Sequence, residues 1–246
     1  MSRKLSAALL VVILLLGTAV VGAQQRSLRF ENALQYLQYY SAGMDRIIPA
    51  LQPLRQAAGS LKAAVDQDEM TDESLLLLGL IYLEQDDYSE ARQVFSEYLK
   101  RNPDDGWVHV MLGDIDYYSG DYASALQRYV KAIMLGDYAR AYYGIGLINM
   151  DQGITNDVIA AFAKAVELAP EFVEARIILA KAYFAVENYE SAIEEFETAY
   201  LYKPRDGEIH YYLWQLYTIQ GELDKANHSR DLAIQYNPDY AEIIGK

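Results

Sequence analysis

The chain contains no cysteine. That excludes disulfides, thiol nucleophiles, zinc–thiolate sites and a lipid-modified N-terminal cysteine. Proline is scarce, six in 246 residues, and glycine numbers only 15, so little interrupts long helical patterns. Positive charge is in the minority. Against 35 Asp and Glu stand 21 Lys and Arg, a net charge of −14. Such a body repels phosphate backbones, and no dense Lys/Arg patch offsets it, so nucleic acid is not an expected partner.

Catalytic patterns are missing too. There is no His-Glu-x-x-His and no Gly-x-Ser-x-Gly. Gly144-Ile145-Gly146 lacks a third glycine and follows a helical rather than a strand pattern, so it is no dinucleotide fingerprint. Asp66, Asp68 and Glu69 lack the glycine and spacing of a calcium loop. No catalytic residue, cofactor site or metal site is predicted, and the chain reads as a non-enzyme.

What is present is apolar and periodic. Hydrophobic residues make up 52% of the chain and aromatics 12%, enough to build a core. Met1 to Ala23 reads MSRKLSAALLVVILLLGTAVVGA. Arg3 and Lys4 precede an apolar run from Leu5 to Leu16, and small residues close it at Val21-Gly22-Ala23. This layout predicts a secretory signal peptide cut after Ala23, and export to the periplasm or cell envelope. The competing expectation is an uncleaved N-terminal anchor, because Leu5 to Ala23 is uncharged and long enough to span hydrocarbon.

Pro170, Pro204 and Pro238 recur every 34 residues. Laying the chain out from Asp72, Gly106, Ala139, Val173 and Gly207 aligns five repeats: 72–105, 106–138, 139–172, 173–206 and 207–240. Slot seven holds Leu78, Leu112, Ile145, Leu179 and Leu213; slot eight holds Gly79, Gly113, Gly146, Ala180 and Trp214. Slot eleven holds Tyr82, Asp116, Asn149, Tyr183 and Tyr217; slot twenty holds Ala91, Ala125, Val158, Ala192 and Ala226. Slot twenty-four holds Phe95, Tyr129, Phe162, Phe196 and Arg230; slot twenty-seven holds Tyr98, Ala132, Ala165, Ala199 and Ala233. Slot thirty-two holds Pro103, Asp137, Pro170, Pro204 and Pro238.

Each repeat carries two helical patterns around a turn such as Glu187-Asn188-Tyr189 or Gly221-Glu222-Leu223. Small residues at slots eight and twenty allow close approach, and apolar slots seven, eleven and twenty-four fill the seam. Pro at slot thirty-two stops the second helix. One such hairpin cannot bury its apolar face, whereas a stack of hairpins can.

The slots resemble the tetratricopeptide repeat family, with its pattern of Leu-Gly, Tyr, Ala, Phe, Ala and Pro. The resemblance covers residues 72–240. It implies an all-α fold, a right-handed superhelical solenoid of stacked helix-turn-helix hairpins. It also implies a scaffold that binds a protein or peptide partner on the concave side of the first helices, at slots two, five, nine and twelve. Those slots hold Trp107, Val110, Asp114 and Tyr117 in repeat two, and Arg140, Tyr143, Leu147 and Met150 in repeat three. Repeat four supplies Glu174, Ile177, Lys181 and Phe184; repeat five supplies Glu208, Tyr211, Gln215 and Thr218. This lining is aromatic and aliphatic, suited to an amphipathic helix or extended apolar peptide. Apolar residues at slot five speak against the family's Lys/Asn clamp for a terminal carboxylate. Self-association into a homo-oligomer, or plain packing, is the competing use of the same residues.

Departures from the pattern carry expectations of their own. Repeat two is one residue short and has Gly136-Asp137 in place of proline, so its exit turn should differ. Trp214 in a small-residue slot argues against close helix pairing in repeat five. His109 and His210, both at slot four, read as packing residues. Glu190, Glu194, Glu195 and Glu197 read as a solvated face. Asn227-His228-Ser229 matches a glycosylation triplet but lies inside a helical pattern. Residues 24–71 are read as a helical cap or degenerate repeat, with Ala57, Leu61 and Ala64 at slots twenty, twenty-four and twenty-seven. Residues 241–246 form a tail too short for a full capping helix.

Overall fold

A computed structural model describes residues 56, 58–63, 71–153 and 155–245. The segment expected to be a signal peptide or anchor, 1–23, and most of residues 24–71 lie outside the described residues. No strand is present among the described residues. No helix among them is long and apolar enough to cross a membrane. The chain divides into two compact halves, Met1–Val108 and His109–Lys246.

In the first half, residues 58–63 are helical and bury Leu61 completely. Helix α1 (Asp72–Glu84) then pairs with α2 (Tyr88–Arg101). Thr71 and Ser74 form a reciprocal capping box at the start of α1. Gly79 faces Phe95: a methyl at Gly79 would lie 2.5 Å from the ring. Tyr98, where the four other repeats have a buried alanine at this slot, is itself buried, and its hydroxyl donates to Asp105 Oδ2 at 2.8 Å.

Helix α3 (Gly106–Tyr118) carries the boundary between the halves. The second half continues with α4 (Tyr122–Leu135), α5 (Ala139–Asp151), α6 (Thr155–Leu168), α7 (Val173–Ala185), α8 (Tyr189–Tyr202), α9 (Gly207–Gln220) and α10 (Leu223–Tyr236), and ends with α11 (Tyr240–Ile244). Helices α5 and α6, α7 and α8, and α9 and α10 pack as hairpins. Each second helix also packs on the next first helix: α4 on α5, α6 on α7, α8 on α9. The result within this half is a stack of hairpins in chain order, all-α as the slot pattern implies.

Slot fifteen explains the turn inside each hairpin. Asp86, Gly120, Gly153, Glu187 and Gly221 all have φ between 59° and 80°. This left-handed residue lets the backbone N–H at slot sixteen reach the slot-eleven carbonyl, as in Asp121→Asp116, Asn188→Tyr183 and Glu222→Tyr217, each at 2.9 Å. Glycine takes the conformation without Cβ strain; Glu187 does not. Glu187→Gly is therefore expected to raise stability by about 0.5–1 kcal/mol, read as a higher urea midpoint with an unchanged slope.

The exit turns follow the proline slots. Residues 102–105, 169–172 and 203–206 separate consecutive hairpins, but only 136–138 separate α4 from α5. The turn lacking proline is the short one, and Gly136 there is fully extended.

Trp214 overturns an expectation. Helices α9 and α10 pack closely along their length despite it. The slot it faces in the other hairpins holds an aromatic ring, whereas here it holds Arg230. Trp214 remains half-buried beside the α9 core and Tyr211. The array ends on α11, whose Tyr240 ring stacks on Tyr211 at 4.6 Å.

Candidate functional site

The first helices α3, α5, α7 and α9 share one face in the second half, and side chains tie neighbours together across it. Asp114 on α3 accepts from Arg140 Nε on α5 at 2.9 Å. Lys181 on α7 donates to Glu208 on α9 at 2.7 Å. These are the same two slots, nine and the following two, with the charges reversed. Tyr117 of α3 donates to Asp151 of α5 at 3.0 Å, and Tyr122 of α4 donates to the same oxygen at 2.9 Å. Burial and this bond together push the Tyr117 hydroxyl pKa upward.

Beneath the Asp114–Arg140 pair sits Tyr129 of α4, only 1% exposed. Its hydroxyl donates to the other Asp114 oxygen at 2.7 Å. Burial, then the Asp114 charge, drive the Tyr129 pKa far upward. Burial pulls the Arg140 guanidinium down, but the charge and hydrogen bond of Asp114, with Tyr118 and Tyr129, together outweigh it, so its net shift is upward. Arg140 also lies over the Tyr143 ring, 5.4 Å from its centre. For Lys181 the balance is similar: burial lowers it, the Glu208 bond and charge raise it further, and Tyr212 lies 5.5 Å away under the ammonium.

The ring of Tyr129 is held between two glycines. A methyl at Gly113 would lie 2.6 Å from Cε1, and one at Gly144 would overlap the opposite edge at Cζ, Cε2 and Oη. Gly144, which has no place in a dinucleotide fingerprint, is thus a packing glycine.

The candidate groove residues separate by depth. Val110, Asp114, Tyr143 and Ile177 are buried. Tyr143 packs between Phe162 and Phe172 and belongs to the core of α5–α7, as Ile177 does to that of α7–α10. Arg140, Leu147, Lys181, Tyr211 and Gln215 are half-buried. Slot twelve is the open row: Tyr117 and Phe184 are half-buried, Thr218 is exposed and Met150 is 44% exposed. Next to Tyr117, Tyr118 is 39% exposed. Trp107, half-buried, lies in the first half of the chain.

Two family models, both described as tetratricopeptide repeat, match residues 51–106 and residues 82–135 and 132–211. The chain belongs to the tetratricopeptide repeat family. Among curated relatives it is 23% identical over 185 residues to the TPR repeat-containing protein YpiA of Bacillus subtilis, covering 74% of this chain and 43% of that protein. It is also 23% identical over 233 residues to a DnaJ homolog subfamily C member 7 homolog of Dictyostelium discoideum, covering 79% and 42%. The chain thus spans less than half the length of these relatives. Among solved structures, PilF of Pseudomonas aeruginosa superposes with a TM-score of 0.70 at 16% identity, covering 88% of this chain and 98% of PilF. PilW, described as a widely conserved type IV pilus biogenesis factor, gives 0.64 at 19%, covering 85% and 95%. YrrB, described as a TPR protein with an unusual peptide-binding site, gives 0.57 at 17%, covering 74% and 94%.

Within this tetratricopeptide frame, slot four proves to be a junction between repeats. His210 is 2% exposed, and its Nε2 lies 2.9 Å from the Pro204 carbonyl oxygen. Arg176, at the same slot one repeat earlier, donates to the Pro170 carbonyl at 3.0 Å. His109 is buried as well. The reading of the histidines as packing residues agrees with these positions. The acidic helix face differs from expectation: Glu195 is drawn inward by Arg176, and Glu197 accepts from Tyr217 at 2.6 Å. Slot four was noted for its two histidines, but Arg176 at the same slot and its partner Glu195 at slot twenty-three were not paired by the repeat pattern, because the identities at these slots vary from repeat to repeat.

Proposed function

We propose that the chain is a non-catalytic scaffold of the bacterial cell envelope or periplasm that binds a protein or peptide partner on the face of its first helices. The observation that carries this reading is the open row at slot twelve. Asp114, Arg140, Lys181 and Glu208 spend their charges on one another across neighbouring repeats. Val110, Tyr143 and Ile177 at slot five supply core. What remains is exposed Met150 and the outer edges of half-buried Tyr117, Leu147, Phe184 and Tyr211, large apolar or aromatic side chains. Such side chains suit the apolar edge of an amphipathic helix or an extended peptide. Export rests on the Met1–Ala23 pattern alone.

A second reading, favoured by the uncharged run from Leu5 to Ala23, keeps that segment as a membrane anchor positioning the repeats at an envelope assembly. The mass of the purified full chain separates the two: loss of residues 1–23 supports export with cleavage, and an intact N-terminus supports the anchor.

The groove itself is tested by photo-crosslinking in the native envelope. A crosslinker at position 150 or 184 is expected to trap one discrete partner, whereas one at exposed Val130 on α4 is not. Met150→Asp and Phe184→Asp should abolish the adduct while the helical circular dichroism stays unchanged. Equal trapping from position 130, or indifference to both substitutions, would sink the groove.

A further inference from the structure

A second surface lies on the other helices. A cleft of about 510 Å³ opens between α8 and α10, with α9 as its floor. Glu194, Glu197 and Leu201 face it from α8, Leu232 from α10, and His210 and Ser229 line its base. Comparing repeats shows why it is open. In repeat four, slot four is Arg176 and slot twenty-three is Glu195. The two pair inside the fold, with side chains only 9% and 18% exposed, and Arg176 also bonds the Pro170 carbonyl. In repeat five the same slots hold His210 and Ser229, both buried and both much smaller. The proline carbonyl is still there, at Pro204, within reach of His210. His210 fills the inner part of that space, between the Tyr200 and Tyr236 rings, and with Ser229 in place of a glutamate the outer part stays open as the cleft.

We propose that this cleft receives an arginine side chain from a partner protein, carried on a segment with aliphatic flanking residues. Charge complementarity favours the cation. Glu194 and Glu197 stand on the α8 wall, and Lys225, the cation in the lining, is already held by Glu222 at 2.6 Å and rests over the Tyr217 ring. Arginine fits better than lysine because its planar fork can engage two acceptors at once, as Arg176 does one repeat earlier, and two carboxylates, Glu194 and Glu197, stand on the cleft wall. Leu201, 75% exposed, offers an apolar rim for the flanking residues. The volume lies within the range of small-ligand pockets. This site is independent of the first-helix face and does not require it to bind anything.

The test is an NMR titration of the full chain with the capped tripeptide acetyl-Leu-Arg-Leu-amide, against acetyl-Leu-Gln-Leu-amide. The arginine peptide is expected to saturate and to move resonances of Leu201, His228 and Leu232, binding about tenfold tighter than the glutamine peptide. Glu194→Gln with Glu197→Gln should remove most of that difference; the amide oxygen at position 197 can still accept from the Tyr217 hydroxyl, and unchanged helical circular dichroism checks that the fold is kept. His210→Arg with Ser229→Glu should refill the cleft as in repeat four and abolish binding. Equal affinity for the two peptides overturns the proposal. So does an unaffected Glu194/Glu197 variant, a perturbation confined to Met150 and Phe184, or no perturbation at the solubility limit. If the His210/Ser229 variant fails to fold, the Glu194/Glu197 variant still decides.

Discussion

Tyr129→Ala is expected to destabilise the protein by about 4 kcal/mol, measured by urea denaturation near neutral pH. The ring is among the largest side chains fully buried, 1% exposed. Truncation leaves a cavity bounded by Gly113 and Gly144, two residues with no side chain to collapse into it. It also takes away the donor at 2.7 Å from Asp114, a buried carboxylate. Tyr129→Phe isolates the second part. Asp114 keeps Arg140 in that variant, and the loss should be about 1–2 kcal/mol. Gly144→Ala attacks the same interlock from the other side. The ring has no retreat, because Gly113 backs its opposite edge, so the substitution should cost about 1–3 kcal/mol. If Tyr129→Ala loses less than about 1 kcal/mol, the ring is not the keystone between α3, α4 and α5 that these contacts describe.

Arg176→Met should cost about 3–5 kcal/mol, because it strands Glu195 in a largely buried position. The double change Arg176→Met with Glu195→Met removes both charges and should recover most of the loss, since a buried ion pair repays its desolvation poorly. One further feature points the same way: Arg176 Nε is buried without a hydrogen-bond partner, so the guanidinium is incompletely satisfied even in the native protein. The single variant has a pH signature. Burial raises the Glu195 pKa even though Arg176 pulls it down. A carboxyl with a raised folded-state pKa contributes stability that is present below its unfolded pKa and lost as pH rises through the folded value. Without Arg176 the folded value climbs further. The deficit of Arg176→Met should therefore shrink as pH falls from 7 toward the carboxylate range, and melting temperatures measured across that range will show it. A deficit independent of pH would mean that Glu195 reaches water in the variant.

The two results bear on what was legible in advance. The helices open at Asp72, Gly106, Ala139, Val173 and Gly207 because each repeat solves the same local problem. A left-handed residue at slot fifteen turns the chain, and a small residue at slot eight admits a ring from slot twenty-four. These interactions join residues 5 and 16 apart within one hairpin, so a single repeat contains both partners and the period displays them. Glycine at slot fifteen marks three of the five turns; Asp86 and Glu187 adopt the same backbone without the marker.

The sequence alone thus determined the architecture, the absence of familiar catalytic patterns, and which slots belong to the first helices. It did so because the helical period and the repeat length together assign every residue to a face. Only the tertiary structure decided what each face does with its residues. Val110 and Ile177 went to the core, Asp114 to Tyr129 and Arg140, and Lys181 to Glu208. Gly144 became room for a neighbour's ring, and His210 with Ser229 left a cleft where Arg176 and Glu195 leave none. The physical reason is common to these cases. Their outcome depends on side chains brought together from different helices, often in adjacent repeats, and on whether two volumes or two charges match, which no periodicity records.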